Sequence, residues 1–151
     1  MSERLRIFAP ARHGVREGDA WGDGRFGASR GDRLHKGVDF LATEGERISA
    51  PCDGVVRRIG QCYVDTDEYK LIEIHAAGAL VRVFYVTPGV APGDAVSIGD
   101  TIGHAQDISR RYAPGMHNHV HLEVRLTGSV LVGKGREPTE AVWVDPWLLM
   151  Y

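Results

Sequence analysis

Two short motifs place metal-binding side chains at spacings suited to chemistry. His35-Lys36-Gly37-Val38-Asp39 is an H-x-x-x-D, and His119-Val120-His121 is an H-x-H followed by Leu122-Glu123. Gly37 and Val38 disfavour a helix, and on an extended strand residues i and i+4 project to the same face. The same period puts His119, His121 and Glu123 on one polar face and turns Val120, Leu122 and Val124 toward a core. Two histidines and one carboxylate carried on strands can bind Zn²⁺ in a tetrahedron whose fourth position is left to water, as catalytic zinc sites are built. Spacing alone does not say which of these five polar residues would be the ligands. It also allows the plainer reading of half-buried, hydrogen-bonded histidines on a sheet.

The elements that must position these residues read as short strands. Arg47-Ile48-Ser49-Ala50, Gly54 to Ile59, Leu71 to His75 and Leu80 to Val86 are rich in β-branched residues, and Asp53-Gly54, Ala77-Gly78 and Pro92-Gly93 punctuate them. Alternation in Leu80 to Val86 predicts Val81, Val83 and Tyr85 on one face. Strands about ten residues apart with no amphipathic helix between them indicate an antiparallel all-β domain. Gly45-Glu46-x-Ile48 with Asp53-Gly54-Val55 is echoed by Gly93-Asp94-x-Val96 with Gly99-Asp100-Thr101-Ile102, as the two halves of a barrel-like sandwich would be. Helical signals are confined to a turn near Asp107 to Tyr112 and to Asp145-Pro146, an N-cap and first position for a turn ending at Met150.

Composition agrees. The 151 residues are about one domain's worth of chain, so a single domain over 1–151 is expected. Its 19 glycines are nearly twice the usual share of about 7%, as many turns would require. Six of them lie between Gly14 and Gly31, marking residues 1–34 as a Gly/Arg-rich lead-in segment anchored by Trp21 and Phe26. A net charge of −2 offers no broad basic field for nucleic acid or an anionic membrane. No apolar run approaches the roughly 18 residues of a membrane span, and the first residues lack the pattern of a secretory signal. Cys52 and Cys62 have no C-x-x-C spacing; a reduced pair is the plain reading, and a bridge between adjacent strands would need an oxidising compartment.

The order of the motifs adds a family resemblance. Gly24-Arg25-Phe26-Gly27, His35 to Phe40, Gly45 to Val55, Val90 to Gly103, His119 to Glu123 and Val144-Asp145-Pro146 together resemble the lysostaphin-type zinc metalloendopeptidases of bacterial peptidoglycan, from Gly24 to the C-terminus. The resemblance implies a duplicated-hybrid-motif β domain with Zn²⁺ held by His35, Asp39 and His121, and with His119 as a catalytic residue beside the zinc-bound water. It implies hydrolysis of stem or cross-bridge peptides by a monomer without nucleic-acid or membrane-spanning partners. Such a protein, cytoplasmic as synthesised, would reach the wall by non-Sec export or phage-type lysis.

One departure bears on activity. The family's second catalytic histidine ends a central strand in a Tyr-x-His sequence; here Phe84-Tyr85-Val86-Thr87-Pro88 places Thr87 there. A threonine hydroxyl is a poor general base near pH 7. This stretch, with Tyr112-Ala113-Pro114-Gly115-Met116, resembles the subgroup that includes leukocyte cell-derived chemotaxin, which keeps the zinc site and is regarded as a non-peptidase. The alternative is therefore a catalytically weak or inactive zinc-containing module that binds a wall peptide or a protein. His117 is a candidate substitute for the missing base, and Arg30, Arg33 and Lys36 are candidate partners for substrate carboxylates.

Overall fold

In the computed structural model, residues 5–30, 34–126 and 142–150 are described. The strands are β1 (Val38–Leu41), β2 (Arg47–Ser49), β3 (Gly54–Gln61), β4 (Lys70–Ala76), β5 (Ala79–Phe84), β6 (Val86–Pro88), β7 (Ala95–Val96), β8 (Thr101–Ala105), β9 (His119–Leu126) and β10 (Val142–Val144). Seven of them form one antiparallel sheet in the order β1-β9-β5-β4-β3-β7, with β10 also pairing β9; β2-β8-β6 form a second. The sheets face each other as a sandwich and do not close into a barrel. The described helical structure is one 3-10 turn, Pro146–Leu149, whose N-cap Asp145 accepts from the Trp147 backbone N–H, as the Asp-Pro signal implies.

The core between the sheets is built by alternation. Ile72 and Ile74 of β4, Val81 and Val83 of β5, and Val120, Leu122 and Val124 of β9 are fully buried and meet Ile48, Val86 and Ile102 of the small sheet. Burial of each such side chain stabilises the fold by about 1.5–3 kcal/mol.

The sequence echo corresponds to two equivalent turns. Gly45 and Gly93 both adopt left-handed backbone, at φ 82° and 95°. Glu46 Oε1 and Asp94 Oδ2 each accept from the backbone N–H three residues earlier. The segments also cross over reciprocally. Gly45 and Glu46 bond to Ala105, whereas Gly93 and Asp94 bond to Val56, tying each half to the other.

Tyr85 does not join Val81 and Val83 on the core face. The alternation stops at Phe84, because Tyr85 has φ 72°, the only positive value at a described non-glycine residue. A bulky side chain rarely adopts that conformation. Here it ends β5 and turns the Tyr85 ring to the opposite side of the sheet, while the chain passes at Val86 into the small sheet.

Candidate metal centre

The other face of the large sheet carries two rows of paired residues. Cross-strand register aligns Asp39 of β1 with His121 of β9, Phe84 of β5 and Leu71 of β4. The next row aligns Glu123 of β9 with Arg82 of β5, Glu73 of β4 and Arg58 of β3. The first row holds two of the three candidate ligands, Asp39 and His121. The second alternates carboxylate and guanidinium.

His35 Nε2, Asp39 Oδ1 and His121 Nδ1 converge at the end of the first row. Their separations are 3.0 Å between the imidazoles, 3.2 Å from His35 to Asp39 and 2.7 Å from His121 to Asp39. A tetrahedral zinc with ligands at about 2.0–2.1 Å has ligand-ligand edges of about 3.3 Å, so this triangle fits with small adjustments. Among the described residues this is the one such cluster of three metal-binding groups.

Each imidazole is oriented by what its other nitrogen meets. His35 Nδ1 donates to the Arg25 carbonyl at 2.9 Å, which leaves Nε2 as the nitrogen that faces the cluster. His121 Nε2 lies 3.1 Å from Glu123 Oε1, and donation there leaves Nδ1 as the nitrogen that would bind a metal once its proton is released. His119 Nδ1 donates to the His117 carbonyl at 2.9 Å and presents Nε2 3.5 Å from Asp39 Oδ2. An acceptor behind a ligating histidine fixes its tautomer and ring, as at known zinc sites. Phe84 packs edge-on to His121 at 5.0 Å, and Gly37 makes room for it. A Cβ at Gly37 would stand 2.1 Å from the Leu122 carbonyl oxygen and 2.8 Å from the His121 ring.

Charge follows the same geometry. Burial pushes the Asp39 carboxyl up, but hydrogen bonds from His121 and His35 outweigh it and hold it well below the usual range. Burial opposes charge on His121, yet bonds to Asp39 and Glu123 raise its pKa to about 9, so metal loading would release a proton. Burial lowers the pKa of His119 against the attraction of Asp39, favouring the neutral ring.

These atoms floor a cleft of about 330 Å³ walled by Trp21, Tyr63, Phe84, Tyr85 and Tyr112, with Cys62 also on its lining. Tyr63 Oη lies 2.7 Å from Tyr112 Oη and 3.4 Å from Tyr85 Oη, and the Tyr85 ring stands edge-on to His119 at 5.6 Å. The lead-in segment supplies one wall, where Trp21 donates to the Pro114 carbonyl at 3.1 Å.

The remaining residues that the sequence singles out are placed differently. Thr87 is exposed on β6, pairs with His104 of β8 and does not line the cleft; Tyr85 occupies the position beside His119. His117 is exposed, and its backbone rather than its ring serves the site, through the carbonyl that orients His119. Lys36 lies over the Trp143 ring at 4.2 Å and lines the cleft with Arg30; Arg33 lies outside the described residues. Cys52 and Cys62 are not bonded to each other.

Sequence reasoning misses Arg16. It is 1% exposed in the lead-in segment and holds Asp39 Oδ2 through Nε at 3.2 Å and Nη2 at 3.1 Å. An arginine among glycines and aspartates reads as solvated loop, and only the tertiary structure brings it under Asp39.

Antiparallel strands carrying a His-Asp-His cluster, with a further histidine alongside, define a metallopeptidase-like domain. The chain matches Peptidase family M23 over residues 33–132, about two thirds of its length, and belongs to that family. It is 30% identical over 112 residues to leukocyte cell-derived chemotaxin-2 of Mus musculus, covering 72% of each chain. Among solved structures it is similar to a chain of the SpoIIQ–SpoIIIAH pore-forming complex, with TM-score 0.62 and 21% identity over 98% of this chain and 92% of that one. It is also similar to the antimicrobial peptidase lysostaphin of Staphylococcus simulans, with TM-score 0.56 and 19% identity over 78% of this chain and 49% of that one. Among the described residues no helix is long and apolar enough to cross a membrane.

Proposed function

We propose that this protein is a zinc-dependent endopeptidase that hydrolyses stem or cross-bridge peptide bonds of bacterial peptidoglycan as a monomer. The observation that carries the reading is the convergence of His35 Nε2, Asp39 Oδ1 and His121 Nδ1 within 2.7–3.2 Å, with His119 Nε2 turned toward the same carboxylate. Family membership and the fold shared with lysostaphin support it.

When bound, zinc would supply a water of lowered pKa and polarise the scissile carbonyl. The chain's own groups do the rest. His119, neutral and with Nε2 available, accepts the proton of the attacking water as its oxygen bonds to the carbonyl carbon. It then delivers that proton to the amine nitrogen as the C–N bond breaks. His35, Asp39 and His121 would hold the metal, and Trp21, Tyr63, Phe84, Tyr85 and Tyr112 would flank the reacting amide.

A second reading is favoured by a specific observation. Among the described residues the cleft is lined by His35, His119 and His121 with no further histidine, and Tyr85 stands beside His119 instead. On that reading the domain keeps zinc and binds a wall peptide or a protein without cutting it. Digestion of purified peptidoglycan by the zinc-loaded protein separates the two. Endopeptidase action gives soluble muropeptides with one new amine and one new carboxyl per cut. Stoichiometric zinc with no release from any wall type contradicts it and supports the binding module.

A further inference from the structure

We infer that Arg16 is a positioning residue of the metal centre: its guanidinium takes one oxygen of Asp39 so that the other alone faces the imidazoles of His35 and His121. The inference rests on the reading of His35, Asp39 and His121 as metal ligands. It adds a component from outside residues 33–132, the part that matches the family.

Arginine is almost never fully buried unless paired. Arg16 is buried, and all its partners are specific. Nε and Nη2 grip Asp39 Oδ2, while Nη1 donates to Asp19 Oδ2 at 2.8 Å and to the Gly22 carbonyl at 2.9 Å. Asp19 is itself buried and fixed, accepting from the His117 backbone N–H at 3.0 Å and the Trp21 backbone N–H at 2.8 Å. The backbone locks this arrangement to β1. Arg16 N–H donates to the Asp39 carbonyl at 2.8 Å, Asp39 N–H to the Gly24 carbonyl at 2.8 Å, and Gly24 N–H to the Arg16 carbonyl at 2.9 Å. Gly24 must lack a side chain, because a Cβ there would stand 2.8 Å from Arg16 Cβ and 2.9 Å from Asp39 Cβ.

The two oxygens of Asp39 are thereby given different tasks. Oδ1 faces His35 Nε2 and His121 Nδ1. Oδ2 faces Arg16, with Arg30 Nη2 at 3.8 Å and His119 Nε2 at 3.5 Å. A carboxylate held in this way offers one donor atom, which suits a four-coordinate metal. A carboxylate with both oxygens open can chelate and raise the coordination number, as at calcium sites.

Cobalt(II) reports this directly, because four-coordinate cobalt absorbs visible light much more strongly than five- or six-coordinate cobalt. The full chain and its Arg16→Lys and Asp19→Asn variants would be loaded with cobalt(II). Zinc affinity would be measured in parallel by competition with a chromophoric chelator. Arg16→Lys keeps the buried charge but loses the two-pronged contact. It is expected to lose 10- to 100-fold in zinc affinity, as outer partners of metal ligands do, and to show a weakened cobalt band. Asp19→Asn, which loosens the far end of the grip with Arg16 intact, should move both readouts in the same direction by less. If Arg16→Lys does not fold, Asp19→Asn carries the test. Unchanged zinc affinity and cobalt spectrum in the folded variants overturn the inference. Failure of the unmodified protein to bind either metal would instead overturn the ligand assignment itself.

Discussion

Asp39 and Glu73 are buried carboxylates on the same face of the large sheet, on β1 and β4 with β9 and β5 between them. Their surroundings differ. Glu73 is gripped by three guanidinium groups, from Arg57 Nη1 at 2.6 Å, Arg82 Nε at 2.7 Å and Arg58 Nε at 3.1 Å. Burial pushes its carboxyl up, but hydrogen bonds from Arg57 and Arg82 overcome this and lower it. Glu73 is thus fully answered by cations, with no oxygen directed at a common point. Asp39 has its guanidinium on one oxygen only, and its other oxygen meets two imidazoles whose outer nitrogens are already engaged. A buried acid does not by itself mark a site. What distinguishes Asp39 is that the neighbours of its Oδ1 are imidazoles, which can give up a proton and turn lone pairs to one place, rather than guanidiniums, which cannot.

The largest effect expected from this contrast is at His121. His121→Ala removes the strand-centre ligand and should abolish stoichiometric zinc, read by elemental analysis of the purified protein. Retained zinc would refute the ligand assignment. Next, His119→Ala should keep zinc, since His119 is not one of the three converging ligands, yet lower the rate of peptide hydrolysis by about 10²–10⁴-fold. Loss of metal in that variant would show His119 to be a ligand instead.

Glu73→Gln should leave zinc unchanged and reduce stability by about 1–2 kcal/mol at pH 7. That is toward the low end for charge-assisted bonds, because Arg57 and Arg58 are about half exposed. Because folding lowers its pKa, Glu73 contributes stability above the ordinary glutamate value of about 4.3, and that contribution is lost as pH falls through the folded value. The melting temperature of the variant should therefore fall less steeply in acid than that of the unmodified protein. Parallel curves would detach Glu73 from acid stability. The smallest effect belongs to Thr87→His. Position 87 is exposed and outside the cleft, so hydrolysis should change by no more than about twofold, as for ordinary surface substitutions. A large gain would place residue 87 in the reaction after all.

The strands, their turns and the H-x-H periodicity are legible in the sequence because each depends on neighbours a few residues away. Val120, Leu122 and Val124 go inward and His119, His121 and Glu123 go to the other face, as the period of two requires. The echo of Gly45-Glu46 in Gly93-Asp94 is legible for the same reason, as one local turn used twice. What escapes depends on register or on distant segments. Pairing of Asp39 with His121 joins residues 82 positions apart. Alternation carried past Phe84 puts Tyr85 in the core, but one positive φ reverses it. That reversal also explains why Thr87 falls outside the cleft while Tyr85 lines it. Arg16 is hidden most completely, since its burial depends on Asp19, Gly22, Gly24 and β1 together.

The metal's inner shell is the central claim, and X-ray absorption at the zinc edge of the loaded protein tests it most directly. The expected spectrum shows four nitrogen or oxygen neighbours at about 2.0–2.1 Å, including two imidazoles, and no zinc-bound spectrum from His121→Ala. A sulfur neighbour at about 2.3 Å, which Cys62 on the cleft lining would supply, or an unchanged shell in His121→Ala, would contradict it.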